Sequence, residues 1–481
     1  MTRSALTILQ INDTHGYLEP HPELVWEGGE PSFPVLGGYA RIASLFEAVR
    51  HERPNSVLTL DNVDTFHGTF PAVYSKGEAL VAPVNALGLD AMTAHWEFAW
   101  GPDHFRQLAQ KLKHPMLAIN CYEKASGKRP FPPSRLLERA GLRIGVIGIA
   151  ATIIDKSMPP HFSTGLRFTI GDEELPGEIE RLRRFEGAEL IVVLSHLGFP
   201  QDAKLASLVA GIDVLLSGHT HNRLEHPVVV NGALIIQSGC HGSFVGRLDL
   251  DIADRKIARF AHRLIPVDES LPSNPTMNAL VESVMAPHRA MLSEVVGSTL
   301  VGLHRNTILE SPMDEFLLAA ISKAANANLA FSNGWRYGAP IPPGPITMND
   351  LWNVIPTNPP VSVVDLTGRE LVAMIEENLE NTYAADPYRQ MGGYVKRCRG
   401  LTMIAKIENP PGHRIDRLFV EGRLVEPETI YQAAFVTAQG VPAKYGRNRR
   451  DLTIRAVEAL RSYLSDHSAG ADRQPPTIVL S

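Results

Sequence analysis

The stretch ILQINDTHG, residues 8–16, decides how the rest of the chain is read. It closes an apolar run, ALTILQI, and then sets Asp13 and His15 two positions apart. The arrangement recurs downstream: Asp64 follows SVLTLDNV, His95 follows LDAMTA, His196 follows LIVVLS, and His219 and His221 follow IDVLLSG. A short apolar run ending in Asp or His reads as a buried strand that delivers a ligand at its carboxyl end, where open α/β sheets build their active sites. A lone His after a strand is more often a hydrogen-bonded core residue, and the chain holds 18 histidines, so no single member carries the reading. The ordered set does.

Imidazole and carboxylate donors without thiolates suit zinc, manganese and iron. The candidate ligands Asp13, His15, Asp64, His95, His196, His219 and His221 are too many for one tetrahedral site and fit two sites sharing a bridging carboxylate. Two ions ~3.5–4 Å apart polarise a tetrahedral oxyanion, generate hydroxide at neutral pH and stabilise the leaving oxygen. The expectation is a hydrolase with two divalent ions, manganese or zinc with iron also compatible, acting on a small anionic substrate.

The 481 residues point to two or three domains, and 44% hydrophobic with 20% charged residues is ordinary for a globular protein. A net charge of -6 gives no reason to expect a nucleic-acid polymer or a membrane surface as partner. Three scattered cysteines, Cys121, Cys240 and Cys398, exclude a disulfide framework and read as reduced, buried thiols. The first strand starts within a few residues of Met1, with no charged leader or apolar h-region, so the chain as written is expected in the cytoplasm.

Up to about residue 266, strands such as SVLTL, PMLAI, RIGVIGIA, ELIVVLS, DVLLS and ALIIQS alternate with amphipathic helices such as ARIASLFEAVRHE. The closely spaced strands from Ala233 to Val267 suggest antiparallel pairing, hence a two-sheet α/β sandwich flanked by helices. The expected divisions are a first domain over 1–266, a linker and connecting helix over 267–296 broken at Pro287, and a second domain over 297–481. A polar tail is expected from Asp466 to Pro476.

These motifs carry a family resemblance. NDTHG, LDNVDTFHGT, AMTAHWEFAWG, VLSHLG and SGHTHN resemble the calcineurin-like metallophosphoesterase domain of the 5′-nucleotidase family in order and approximate spacing. FSNGWRYG and PGPITMNDLWNVIPTNPPVSVVDLTGREL resemble its C-terminal domain. The resemblance implies a four-layer αββα sandwich and an α+β substrate-binding domain that closes over the metals. It assigns Asp13, His15 and His221 to one metal, and His95, His196 and His219 to the other. Asp64 would bridge them, with Asp61 only a neighbour. It also implies cleavage of a phosphoester, in a nucleotide or a related phosphorylated metabolite.

The chain departs from that family where nucleotidases read Gly-Asn-His-Glu-Phe-Asp. Aligned through Glu97 and Phe98, it has His95 for the Asn, Trp96 for the His and Ala99 for the Asp. His95 keeps a metal donor, whereas an indole donates one hydrogen bond and does not titrate. The base-clamping Gly-Gly-Asp-Gly-aromatic segment is replaced by TAQGVPAKYGRN, where Tyr445 is the remaining aromatic candidate. HWEF and MGGYVKRCRG are similar to the SoxB thiosulfohydrolase branch of the same family. That branch releases sulfate from a cysteine-bound thiosulfonate on a carrier protein in the periplasm. A sulfur leaving group, with a thiol pKa near 8.5, needs little help from a proton donor. The remaining alternative is a catalytically weak, metal-containing binding protein; retention of all seven ligand candidates argues against it.

An oxyanion also needs cationic donors, and Arg supplies a planar fork. Arg336 matches a family position where an Arg faces substrate, and Arg397 is the other candidate for substrate binding and catalysis. Lys396 and Arg399 read as a solvated basic loop. Asn333 is a candidate for orienting substrate, and His241, in SGCHGSFVG, for supporting a metal ligand or for acid–base work beside the metals. His67 reads as a loop residue, Trp335 as a candidate for stacking on substrate and Trp352 as core.

Overall fold

The computed structural model describes residues 3–470 and 478–480. The chain divides into two units, Met1–His21 with Val35–Pro287, and Pro22–Pro34 with His288–Ser481. The division thus falls inside the segment expected as connector. The helix Pro275–Met285 buries Met277, Val281 and Met285, and the backbone N–H of Asn274 reaches the carbonyl of Ala40 at 3.0 Å, so this helix is held by the first unit. It breaks before a short helix, Arg289–Leu292, across the expected Pro287.

The first unit contains two sheets. One runs in the order Lys256–Pro266, Phe244–Ala253, Arg3–Ile11, Val57–Asp61, Ala91–Met92, with its last three strands parallel. The other runs Val228–Val230, Ala233–Ile236, Val214–Leu216, Leu190–Ser195, Leu142–Ile149, Ser134–Arg139, with its four central strands parallel. Period-two alternation sorts each strand between two apolar layers. Val192 and Leu194 join Ile8, Leu60 and Leu248 in a core built from both sheets, whereas Ile191 and Val193 pack with Leu175, Ile179 and Leu205 from helices covering the second sheet. Helix Tyr39–Glu52 lies beside the first sheet, where Arg50 donates to Thr59 Oγ1 at 3.0 Å. The antiparallel pairing expected over Ala233–Val267 is present in the pair Phe244–Ala253 and Lys256–Pro266.

PMLAI, expected as a strand, is not one. Met116 makes an isolated bridge to Met92, and the next N–H groups go to different segments, Leu117 to Met92 and Ala118 to Pro132. An apolar run bounded by Pro115 passes between neighbours without a ladder of its own.

The second unit is α+β. Its five-stranded sheet has the order Tyr394–Arg399, Leu329–Gly334, Ile430–Phe435, Pro360–Thr367, Arg447–Arg455. Helix Gly368–Tyr383 starts from a capping box between Thr367 and Glu370 and packs Leu371, Met374 and Ile375 against Phe331, Val364 and Leu366. Of the polar tail, residues 471–476 lie outside the described residues. No helix among the described residues is long and apolar enough to cross a membrane.

Candidate metal centre

Five carboxyl-terminal strand ends supply the polar cluster. Arg3–Ile11 leads to Asp13 and His15, Val57–Asp61 to Asp64, Ala91–Met92 to His95, Leu190–Ser195 to His196, and Val214–Leu216 to His219 and His221. Instead of leaving as ordinary loops, the turns after the strands interlock. The Asp13 N–H donates to the Val63 carbonyl at 2.7 Å and the His15 N–H to the Asp64 carbonyl at 2.6 Å. The backbone takes a left-handed conformation at Asp13 (φ 50), His15 (φ 48), Asp64 (φ 53), His219 (φ 72) and His221 (φ 58), and at the β-branched Val63 (φ 72). Non-glycine residues there cost ~1–3 kcal/mol each and cluster at functional sites. Gly68 (φ +117) is required for a second reason: a Cβ would stand 2.6 Å from the His15 carbonyl oxygen.

All seven expected residues come together in two groups. Asp64, His95, His196 and His219 form one, and Asp13, His15 and His221 the other, with donor atoms of each group within 4.8 Å of one another. Asp64 Oδ2 lies 3.1 Å from His95 Nδ1, 3.3 Å from His196 Nε2 and 3.9 Å from His15 Nε2, so one oxygen reaches both groups. Asp13 Oδ1 sits 3.2 Å from His221 Nε2.

The residues fit metal ions on three counts. Burial lowers the pKa of His15 and His95, which keeps both imidazoles neutral as ligands must be. Burial opposes the charge on Asp64, but His95 and His196 outweigh it and hold this carboxyl well below its usual range. Burial would also lower His196, yet Asp64 and Asp13 raise it to about 10, so the two carboxylates favour positive charge at that position. His196 Nδ1 donates to the Asn62 carbonyl at 2.5 Å, which leaves the Nε2 lone pair for a metal. Finally, His95 Nε2 is buried with no hydrogen-bond partner among the described residues, a debt that coordination settles.

Sequence reading missed the polar layer under these ligands. Gln10 donates to Asn62 Oδ1 at 2.7 Å and to the Ser217 carbonyl at 2.8 Å; Asn62 donates to the Ser195 and Leu216 carbonyls, each at 2.7 Å. Asp202 accepts from Ser195 Oγ at 2.5 Å and Ser217 Oγ at 2.6 Å, and burial raises its carboxyl to about 7. Asn12 donates to Asp13 Oδ2 at 2.8 Å. These side chains tie the strand ends of both sheets together just below the ligands. The detectable signal was two amide side chains, Gln10 inside and Asn62 just after a largely apolar strand.

Asp61 holds the turn beneath Asp64 by accepting from Val63 N–H at 2.8 Å and Thr65 Oγ1 at 2.7 Å. Glu97 accepts from the N–H groups of Thr65 and His95, each at 2.9 Å, and burial followed by the charge of Asp64 raises it to about 7. Trp96 donates its backbone N–H to Asp64 Oδ1 at 3.0 Å and stacks on His67 with ring centroids 4.1 Å apart. His67 is therefore no plain loop residue: it is fully buried, and burial lowers it to about 3. His241 lies beside the other group, its ring 6.0 Å from His15 and 6.2 Å from His221, and its N–H donates to the Asp13 carbonyl at 2.7 Å.

In the second unit, Arg336 is half-buried, donates to the Gly393 carbonyl at 2.9 Å and lies over the Tyr394 ring. Asn333 is half-buried on the strand Leu329–Gly334. Two expectations need correcting here. Arg397 is only 2% exposed and is bound within its own unit, to Asp314 Oδ2 at 2.9 Å and to the Ile308 and Thr307 carbonyls, each at 2.7 Å, rather than presented to a substrate. Lys396 is buried rather than solvated, with Nζ on the Gln439 and Gly440 carbonyls at 2.8 Å, and burial lowers it to about 8. As neighbours on the strand Tyr394–Arg399 the two side chains point to opposite faces of the sheet, and both faces are buried at this point, which a cluster of basic letters does not show. Trp335 is only 4% exposed, and Tyr445 OH donates to Glu377 at 2.8 Å. Cys121 and Cys240 are buried free thiols, and Cys398 is a partly exposed one.

Comparison with known proteins adds an independent finding. Residues 295–437 match the family described as 5′-nucleotidase, C-terminal domain. The chain is 25% identical over 467 residues to the trifunctional nucleotide phosphoesterase YfkN of Bacillus subtilis, with 86% of this chain covered but only 30% of that protein's length. It is 26% identical over 457 residues to a probable 5′-nucleotidase of Treponema pallidum, with 78% and 75% of the two chains covered. Among solved structures it is similar to the sulfate thiohydrolase SoxB of Thermus thermophilus, with a TM-score of 0.91 and 26% identity over 99% of this chain and 96% of the other.

Proposed function

We propose that this chain belongs to the 5′-nucleotidase family, which its likeness to these proteins supports, and is a dinuclear metal-dependent hydrolase that cleaves a phosphoester of a nucleotide or a related phosphorylated metabolite. The observation that carries the proposal is the double cluster of buried His and Asp donors, with Asp64 Oδ2 within 4 Å of donor atoms in both groups. When bound, two divalent ions supply water activation and charge neutralisation at the oxyanion. Manganese, zinc and iron all suit this donor set.

The protein's own residues do the rest. His15, His221 and Asp13 would hold one ion and His95, His196 and His219 the other, with Asp64 placed to serve both. Arg336 binds a substrate oxygen and Asn333 orients the substrate. His241 handles the proton beside the His15 and His221 side. At Trp96, where nucleotidases carry a titratable His, this chain places an indole stacked on His67. No acid at that position assists departure, so leaving groups of low pKa are favoured.

That same feature supports a second reading, release of sulfate from a cysteine-bound thiosulfonate on a carrier protein. A thiolate departs without a proton donor, and the likeness to SoxB agrees with it. One assay ranks the two: metal-reconstituted protein against nucleoside monophosphates, an aryl phosphate and a carrier bearing a cysteine S-thiosulfonate. Phosphoester hydrolysis is expected, with the aryl ester turned over faster than the nucleotides. Rapid turnover of the carrier alone would reverse the order.

A further inference from the structure

The second unit buries two arginines on one carboxylate. Asp314, near the start of helix Pro312–Ala325, accepts from Arg305 Nε at 2.8 Å and from Arg397 Nε at 2.9 Å, and Ser311 Oγ donates to it at 2.7 Å. Arg305, Asp314 and Arg397 are each at most 2% exposed. A buried ion cluster of this kind seldom adds stability over an apolar one of equal volume, and its best-attested use is to fix a register. What this cluster fixes can be read from its outer bonds.

Arg305 reaches across to the Tyr337 carbonyl at 3.0 Å and lies over the Trp335 ring at 5.5 Å. It therefore grips both neighbours of Arg336. The close fit extends to Gly338 (φ +115), where a Cβ would stand 2.9 Å from the Arg305 guanidinium. Arg397 acts by a second route. Its guanidinium lies over the Tyr394 ring at 5.3 Å, and the Arg336 guanidinium over the same ring at 5.0 Å. Its other two bonds, to the Thr307 and Ile308 carbonyls, tie down the segment that carries Arg305.

Resting on the reading of Arg336 as a substrate contact, we infer that Arg305, Asp314 and Arg397 are positioning residues that lock the Trp335–Gly338 loop and so aim Arg336 at the substrate's oxyanion. The cluster holds two positive charges against one negative, so it also adds a net positive charge within the same unit. Replacing Arg305 by Lys keeps that charge and loses the fork that spans Asp314 and the Tyr337 carbonyl.

The test uses the metal-loaded full chain and inorganic phosphate as probe, with binding followed by calorimetry. Arg336→Ala and Arg305→Lys are each expected to weaken phosphate binding roughly tenfold, and the double variant to bind no more weakly than Arg336→Ala alone. Arg397→Lys serves as a second probe and behaves as Arg305→Lys does. Hydrogen exchange over residues 333–340 should quicken in both Lys variants while strand Pro360–Thr367 exchanges as in wild type. Additive losses in the double variant would overturn the inference, as would unchanged exchange at 333–340 or an equal rise in both segments. Unchanged binding by Arg336→Ala refutes the substrate contact itself; the locking role then stands or falls on the exchange result.

Discussion

Asn62 makes the sharpest test of how the two sheets hold the metal site. Its side chain is fully buried, and it makes three 2.7 Å bonds, two to carbonyls at the ends of neighbouring strands and one from Gln10. Asn62→Ala removes the donors of the Ser195 and Leu216 carbonyls in a site screened from water. Each of the two orphaned groups costs ~1–3 kcal/mol, so the expected loss is about 2–6 kcal/mol. That corresponds to a fall in melting temperature of roughly 4–24 °C for a unit of this size. The backbone carbonyl of Asn62, which the substitution keeps, holds His196 Nδ1; without the side-chain bonds that fix this turn the carbonyl shifts, and a displaced outer partner lowers metal affinity ~10–100-fold. Differential scanning calorimetry of metal-loaded protein gives the first quantity and a competitive chelator titration the second. A melting point within about 2 °C of wild type, together with unaltered metal affinity, would refute the idea that the polar layer positions the ligands.

Two further outcomes follow from the same geometry. Gly68→Ala drives a methyl group into His15, with contacts at 2.6 Å, and should leave the Asp13, His15 and His221 position unable to retain its ion; two ions per chain in that variant would show that the close approach is tolerated. The pH dependence rests on His196, raised from 6.5 to about 10 in the metal-free protein. Because the folded state raises this pKa, the stabilisation it gives is complete below 6.5 and vanishes as pH climbs through 10. Metal-free wild type should therefore lose its urea stability advantage over His196→Gln as pH rises, and metal uptake at neutral pH should release the His196 proton, with affinity rising about tenfold per pH unit. A stability difference that stays constant with pH would sink this assignment.

The ligands were legible because each closes a short apolar strand, and parallel strands of a layered sheet present their carboxyl ends together. The break at Pro287 was legible for an equally local reason. Tertiary features were not. PMLAI has the letters of a strand, yet its N–H groups find partners on two different segments. Lys396 reads as part of a solvated basic loop and Arg397 as a substrate contact, whereas their strand is buried on both faces and sets them against carbonyls and Asp314. Gln10, Asn62 and Asp202 gave no signal as a set, because the contacts that unite them join residues up to 207 positions apart. The left-handed backbone at Asp13, His15 and Asp64 is likewise a result of interlocked loops rather than of residue preference.

The most direct test of the central claim is the metal content of the reconstituted chain measured beside its hydrolytic activity. Elemental analysis should find two divalent ions per chain, with hydrolysis lost on chelation and restored by metal; Asp64→Asn should abolish hydrolysis while its circular dichroism stays that of wild type. One ion at saturation would contradict the dinuclear centre, and full activity after complete metal stripping would contradict the metal mechanism altogether.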